Sequence, residues 1–353
     1  MRRSFTGPLL LLIIGGLFLW RNLHPETPIF DLMAQYWPFV LIAWGLIRLA
    51  EVLVWRREGI RGRAAMNIDE LRRICVVGAG LMGRQIALNA AHHGYEVRIT
   101  DANAEQLQAA ERWTDEYVAS RIEKGRWTKE EAAAARARLD FVADLAEAAA
   151  DADLAIEAVI EDVKVKRKVF AELDRLCPPR AILATNSSTF VSSLVADATR
   201  RPAQVANLHY FNPAMVMEVV EVVQGPHTST ETATLLVEFA RRIGKRPILM
   251  KKEIEGFIAN RLLRALGREA TYLVDEGYAS FEEVDLAAEK ALGHPLGPFR
   301  LMDLTGIDLA YMIRSAIYAS SGREEDRPPR CIEERYRAGH YGRKTGRGFY
   351  RYE

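Results

Sequence analysis

The sequence predicts an α/β protein with a doubly wound, mostly parallel sheet, an all-α C-terminal domain and a two-helix transmembrane hairpin ahead of both. Three observations carry this. Short apolar runs alternate with helical stretches from Ile74 onward, a glycine-rich turn joins the first run to the first helix, and the chain from Ile254 reads as mainly helical. At 353 residues there is room for two domains, or for one domain with an appendage. The 49% hydrophobic and 27% charged content is that of a globular protein. Net charge is +1, which gives no electrostatic case for nucleic acid. The three cysteines, Cys75, Cys177 and Cys331, are far apart and form no CxxC pair, which argues against a disulfide framework or a zinc site. No metal is expected.

The first apolar segment, Gly7 to Trp20, carries no charge. The second, Tyr36 to Trp55, reaches the roughly 20 residues that span a bilayer and carries only Arg48 and Glu51, three apart and able to face one another on a helix. Trp20, Tyr36, Trp37 and Trp55 stand near the ends, where aromatic residues meet the membrane interface. A signal peptide would need a small-residue cleavage site, and Trp20-Arg21-Asn22-Leu23-His24 is a poor one. Buried soluble helices would need a domain to cover them. A membrane hairpin through residues 7–55 fits best. The stretches GPLLLLIIGGLFLW and WPFVLIAWGLIRL resemble the small two-helix membrane modules of bacterial envelope-stress proteins of the LiaI/LiaF type. Arg2, Arg3, Arg56, Arg57, Arg61 and Arg63 flank the outer ends, against Arg21 alone in the connecting loop. The positive-inside rule then places both ends, and the catalytic domain, on the cytoplasmic face of a bacterial membrane. Translation from Met66 would instead give a soluble cytoplasmic form.

Ile74 to Val77 reads as a strand buried on both faces. It runs into Gly78-Ala79-Gly80-Leu81-Met82-Gly83, then a helix over Arg84 to His93 that Gly94 ends, then a strand over Glu96 to Thr100 closing on Asp101. A lone G-x-G-x-x-G is weak. Placed between strand and helix, with an acid 23 residues after its first glycine, it is the Rossmann-type dinucleotide fingerprint. Gly78 permits the turn, Gly80 lets backbone approach the pyrophosphate and Gly83 allows close helix packing. Asp101 can accept hydrogen bonds from the ribose hydroxyls and would repel a 2′-phosphate, so NAD is expected over NADP. A helical insertion follows over Ala104 to Arg138, broken at Gly125. Strands come next at Leu154 to Val159, Ala181 to Asn186 and Gln204 to His209, with a helix over Lys164 to Leu176.

His209 ends a strand, where ligands bind in open α/β sheets, and histidine is the usual base for removing a hydroxyl proton as hydride leaves. Glu221, twelve residues on in the apolar run Val219 to Val223, is either a partnered buried carboxylate or a cleft residue. The remainder is read as helices over Gly256 to Asp275, Phe281 to Leu292 and Thr305 to Ala319.

Five motifs now stand in order: Asn186-Ser187-Ser188; His209-Tyr210-Phe211-Asn212-Pro213 with Glu221; Gly256-Phe257-Ile258-Ala259-Asn260-Arg261; Leu301-Met302-Asp303-Leu304-Thr305-Gly306; and Gly342 to Tyr350. Together they resemble the L-3-hydroxyacyl-CoA dehydrogenase family, over all the chain after the apolar segments. The resemblance implies NAD-dependent, reversible oxidation of (S)-3-hydroxyacyl-CoA, as in fatty-acid β-oxidation or butyrate-type metabolism. It implies that Glu221 orients His209 and that Ser188 and Asn260 touch the substrate. It adds Met82, Asn186, Glu161 and Lys166 near the cofactor and Lys124 at the CoA phosphates. Glu161 and Lys166 could equally be a solvated pair at a helix start. Tyr117 stands where relatives often carry serine, and Glu253-Ile254-Glu255 where a proline is usual. The domains so read are the hairpin at 1–57, a basic linker at 58–73, the NAD-binding domain at 74–253 and, at 254–353, a helical domain that closes over substrate and pairs two subunits in a homodimer. Two other readings remain: the same fold acting on a free hydroxy acid or sugar acid, and a membrane-tethered NAD-binding sensor without turnover.

Overall fold

The computed structural model describes residues 66–353. The two apolar segments, and with them the expected hairpin, lie outside the described residues. Among the described residues no helix is long and apolar enough to cross a membrane.

Eight strands form one sheet in the order β3-β2-β1-β4-β5-β6-β7-β8: β1 (Arg73–Val77), β2 (Glu96–Thr100), β3 (Leu139–Phe141), β4 (Leu154–Glu157), β5 (Ile182–Thr185), β6 (Val205–Tyr210), β7 (Val219–Val223) and β8 (Arg246–Met250). Every neighbouring pair is parallel except β6 and β7, which run antiparallel. The order reverses between β1 and β4, which opens the crevice at the C-terminal strand ends where α/β proteins bind ligands. The central strands β4, β5 and β6 are buried along their whole length, as their unbroken apolar sequences require.

The helices of this half are α1 (Leu81–His92), α2 (Ala104–Glu123), α3 (Lys129–Ala137), α4 (Leu145–Ala149), α5 (Val163–Leu176), α6 (Ser193–Ala196) and α7 (Thr230–Arg242). Their starts are chemically marked. Asn103 caps α2, Thr128 and Glu131 form a capping box on α3, Asp162 caps α5 and Ser229 caps α7. The expected insertion helix is two helices, divided where Gly125 takes a φ of +61°. Three elements escaped the sequence reading. Strand β3 has only three residues, and β8 contains Pro247, tolerated because β8 is the sheet edge. Helix α7 lies between two strands at a point where no strong helix was read.

The C-terminal half holds α8 (Ala259–Asp275), α9 (Phe281–Leu286) running into a π-helical turn (Ala287–Ala291), α10 (Pro298–Thr305), α11 (Ile307–Ser321) and α12 (Arg330–Arg337). Its core gathers Ala270, Phe299, Ile307, Cys331, Ile332 and Phe349. Two buried carboxylates fasten it. Asp285 accepts the Phe299 and Arg300 N–H groups at the start of α10 and the Tyr350 hydroxyl. Asp303 accepts the Phe349 and Tyr350 N–H groups and the Tyr352 hydroxyl. The glycine-rich C-terminal motif is thereby explained: a Cβ on Gly348 would stand 2.0 Å from Asp303 Oδ1. All three cysteines are free and buried, and burial pushes their thiols up.

Candidate active site

The cleft along the C-terminal strand ends has a volume of about 620 Å³. Its wall comes from the start of α1, the ends of β4, β5 and β6, and one face of α8, α10 and α11. Of the sequence candidates, Met82, Glu161, Lys166, Asn186, Ser188, His209 and Asn260 line it.

The glycine turn stands at one end. Gly78 has a φ of +103°, which favours glycine, and a Cβ there would meet the Ala158 carbonyl at 2.6 Å. A Cβ on Gly83 would lie 1.7 Å from the Gly78 carbonyl oxygen, so α1 can seat against the turn only with glycine. Gly80 faces open space, with no atom within 4 Å of its missing Cβ. Bare backbone, an open approach and the N-terminus of a 12-residue helix fit a dinucleotide pyrophosphate. At the end of β2, Asp101 accepts the Ala79 N–H at 2.7 Å and the Asn103 N–H at 2.8 Å. Its carboxylate therefore braces the turn as well as standing beside it.

Register produces the central pair. In the antiparallel β6–β7 ladder His209 stands directly opposite Glu221, so both side chains leave the same face of the sheet. His209 Nδ1 lies 2.8 Å from Glu221 Oε2. A carboxylate only accepts, so Nδ1 carries the proton and Nε2 is left with its lone pair. Glu221 is fully buried, and its other oxygen accepts the Ile258 and Ala259 N–H groups at 3.0 Å each, at the start of α8. Burial would raise its carboxyl, but the His209 hydrogen bond and those two backbone donors outweigh burial and hold it below the usual carboxylate range. Of the two readings left open for Glu221, the partnered buried carboxylate is the one observed. Phe211 and Phe257 pack against the imidazole, with ring centroids 4.6 and 5.4 Å away.

Ser188 is exposed at the cleft after β5, and its carbonyl oxygen receives the Asn260 amide at 3.4 Å, so the two are brought together from opposite sides. The Asn186 side-chain oxygen accepts the Tyr210 N–H at 2.9 Å and ties the end of β5 to that of β6. Lys166 is not at a solvated helix start. It is buried, with Nζ 2.7 Å from Glu157 Oε1 and 3.1 Å from Glu161 Oε2. Glu161 also accepts the Ser187 hydroxyl.

Glu157 was missed in the sequence. It is fully buried and holds the Lys166 ammonium, the Thr185 hydroxyl at 2.7 Å and the Val159 N–H at 2.8 Å. An acid at the end of the apolar run Leu154-Ala155-Ile156 was the available signal. Asn207, also unread, accepts the Ser192 N–H and donates to the Phe190 carbonyl, shaping the loop after Ser188. One candidate is corrected. Lys124 is the exposed C-cap of α2 and does not line the cleft, because α2 ends there and its last turn faces solvent.

Comparison with known proteins agrees with this geometry. Residues 73–254 match the family model described as 3-hydroxyacyl-CoA dehydrogenase, NAD binding domain, and residues 256–352 match that of the C-terminal domain. The chain is 38% identical over 284 residues to a probable 3-hydroxybutyryl-CoA dehydrogenase of Bacillus subtilis, covering 80% of this chain and 98% of the relative. It is 36% identical over 285 residues to the 3-hydroxybutyryl-CoA dehydrogenase of Mycobacterium tuberculosis, with 80% and 99% covered. The solved structure of (S)-3-hydroxybutyryl-CoA dehydrogenase from Ralstonia eutropha superposes with a TM-score of 0.74 at 32% identity, over 80% of this chain and 99% of that one. Residues 73–352 of this chain belong to the 3-hydroxyacyl-CoA dehydrogenase family.

Proposed function

We propose that the protein reversibly oxidises the 3-hydroxyl of an (S)-3-hydroxyacyl-CoA to the 3-oxoacyl-CoA with NAD, and that His209 and Glu221 carry the proton. The observation that carries this reading is the buried Glu221–His209 pair with its free Nε2 at a cleft that also receives the glycine turn. Bound NAD supplies the hydride acceptor. His209 Nε2 takes the hydroxyl proton as the carbon–hydrogen bond gives up its hydride, and Glu221 stabilises the imidazolium that forms. In the reverse direction the imidazolium returns that proton to the carbonyl oxygen. Asn260 and Ser188, on facing walls, are the groups available to hold the reacting oxygen and the thioester. Gly78, Gly80 and Gly83 would admit the pyrophosphate, with Met82 beside it, and Asp101 would take the ribose hydroxyls. Lys166, between Glu157 and Glu161, would set the floor near the nicotinamide.

The test is NADH oxidation by the purified protein with acetoacetyl-CoA and longer 3-oxoacyl-CoAs. Turnover with the thioesters and none with free 3-oxo acids is expected. The reverse preference would move the reading to a free hydroxy acid, and no turnover with either would favour a sensor.

A homodimer through the helical half is part of this reading, supported by Leu262, Tyr278, Leu304 and Met312, which all stand exposed there. Sedimentation at twice the chain mass is expected. The tether at residues 7–55 rests on the sequence alone. It predicts recovery of full-length protein from cell membranes only with detergent, whereas a soluble product starting near Met66 would exclude it.

A further inference from the structure

The acyl side of the cleft is lined with apolar side chains, among them Leu263, Leu301, Leu309 and Ile313. Two arginines interrupt it. Arg264, on α8, and Arg314, on α11, both line the cleft and are only partly exposed, and Arg268 stands close enough to act on Arg314. Among the described residues none of the three guanidinium groups has a hydrogen-bond or ion-pair partner. Asp326, the acid that favours the charge on Arg314, is itself engaged by Ser321 and Arg323. Burial lowers the Arg314 pKa, and Arg268 and Arg264 lower it further, so the cluster repels itself. Unpaired cations facing an apolar groove are costly to hold, and an anion entering the groove would relieve that cost.

Placement narrows the anion. Asn260, Leu263, Arg264 and Gly267 line the cleft at helical spacing on one face of α8. Arg264 is one turn beyond Asn260, about 6 Å along the axis. With carbon–carbon bonds of about 1.5 Å, an acyl chain reaches that far from its 3-position in about four or five bonds.

Building on the dehydrogenase reading above, we propose that Arg264 and Arg314 select 3-hydroxyacyl thioesters whose far end carries a carboxylate, that is, dicarboxylic acyl chains of about six to eight carbons. The planar fork of a guanidinium suits a carboxylate, and two such groups can share one terminal anion. A phosphate of the thioester carrier has the same chemistry, so the test separates the two.

The experiment compares kcat/KM for 3-oxohexanedioyl-CoA, its terminal methyl ester and 3-oxohexanoyl-CoA, using the full chain and NADH. The diacid should exceed both neutral substrates by about tenfold or more, the worth of hydrogen bonds to a charged group. Arg264→Met and Arg314→Met should each lower that ratio about fivefold or more, whatever loss the substrates share, and Arg314→Lys should keep part of it. The same ratios should persist with N-acetylcysteamine thioesters, which have no phosphate. Variants that weaken all CoA substrates alike, yet leave the truncated thioesters unaffected, would assign the arginines to the carrier and overturn the proposal. Variants that lower every substrate equally, truncated ones included, would assign them to packing or subunit contact and also overturn it. Turnover of 3-oxohexanoyl-CoA with no gain for the diacid rejects this inference alone. Absence of turnover with any thioester rejects it together with the reading on which it rests.

Discussion

At the scale of the residue, the site is a set of carboxylates that are each given a partner. Glu221 was legible because an acid inside Val219 to Val223 must either be paired or face a cleft. What the sequence could not convey was its second duty, accepting the two N–H groups that begin α8. Glu221→Gln would offer His209 Nδ1 an amide in place of a charge and leave the imidazolium uncompensated. Turnover should fall by about a hundredfold or more, with NADH affinity within a fewfold of the parent. Stopped-flow hydride transfer checks whether the loss lies in the chemical step. Glu157 and Lys166 make the complementary case. Lys166 looked like a solvated helix-start lysine because its neighbours Lys164 and Lys168 are polar, yet it reaches inward to a fully buried acid. Lys166→Met should destabilise the fold by about 3–5 kcal/mol, since it strands a buried charge. Adding Glu157→Gln should restore a large part of that loss. Denaturant unfolding of the two variants decides it, and equal stabilities would refute the pairing.

Elements were legible where a local rule governed them. The strand, glycine turn, helix and second strand from Arg73 to Thr100 followed from apolar runs and a fingerprint whose steric reason the structure supplies at Gly78 and Gly83. Strand β8 was not legible, because Arg246 and Pro247 weaken its pattern and only pairing with β7 makes it a strand. Helix α10 was hidden by its short length and depends on Asp285 to receive its first N–H groups. Two predictions belong here. Asp101→Ala should narrow the preference for NADH over NADPH, and it should weaken NADH binding itself because the Ala79 N–H loses its acceptor. Equal use of both cofactors by the parent protein would contradict this role. Asp174, buried on α5, holds both Arg200 and Arg201. Burial works against its charge, but the two arginines prevail and its carboxyl lies below the usual range. Its folded pKa is below the unfolded one, so its stabilisation is complete above the ordinary carboxylate range and fades as pH falls through the folded value. Asp174→Asn should therefore cost about 3 kcal/mol near pH 7, and the gap should narrow below about pH 4. Thermal unfolding from pH 7 to pH 3 measures it.

For the molecule as a whole, the sequence conveyed the sheet, the cofactor turn and the helical half, because each follows from periodicity or from a motif with a steric cause. It did not convey how the halves meet. That junction depends on long-range contacts: the Glu221 bonds to the start of α8, the Asn260 amide on the Ser188 carbonyl, and the placing of Arg264 and Arg314 in the same cleft. Proton transfer at such a junction is the central claim. The most direct test is turnover of acetoacetyl-CoA by His209→Ala beside the parent, with NADH dissociation measured by fluorescence on both. The account predicts that turnover falls by roughly two to four orders of magnitude while the NADH dissociation constant changes little. Near-normal turnover in His209→Ala would contradict it.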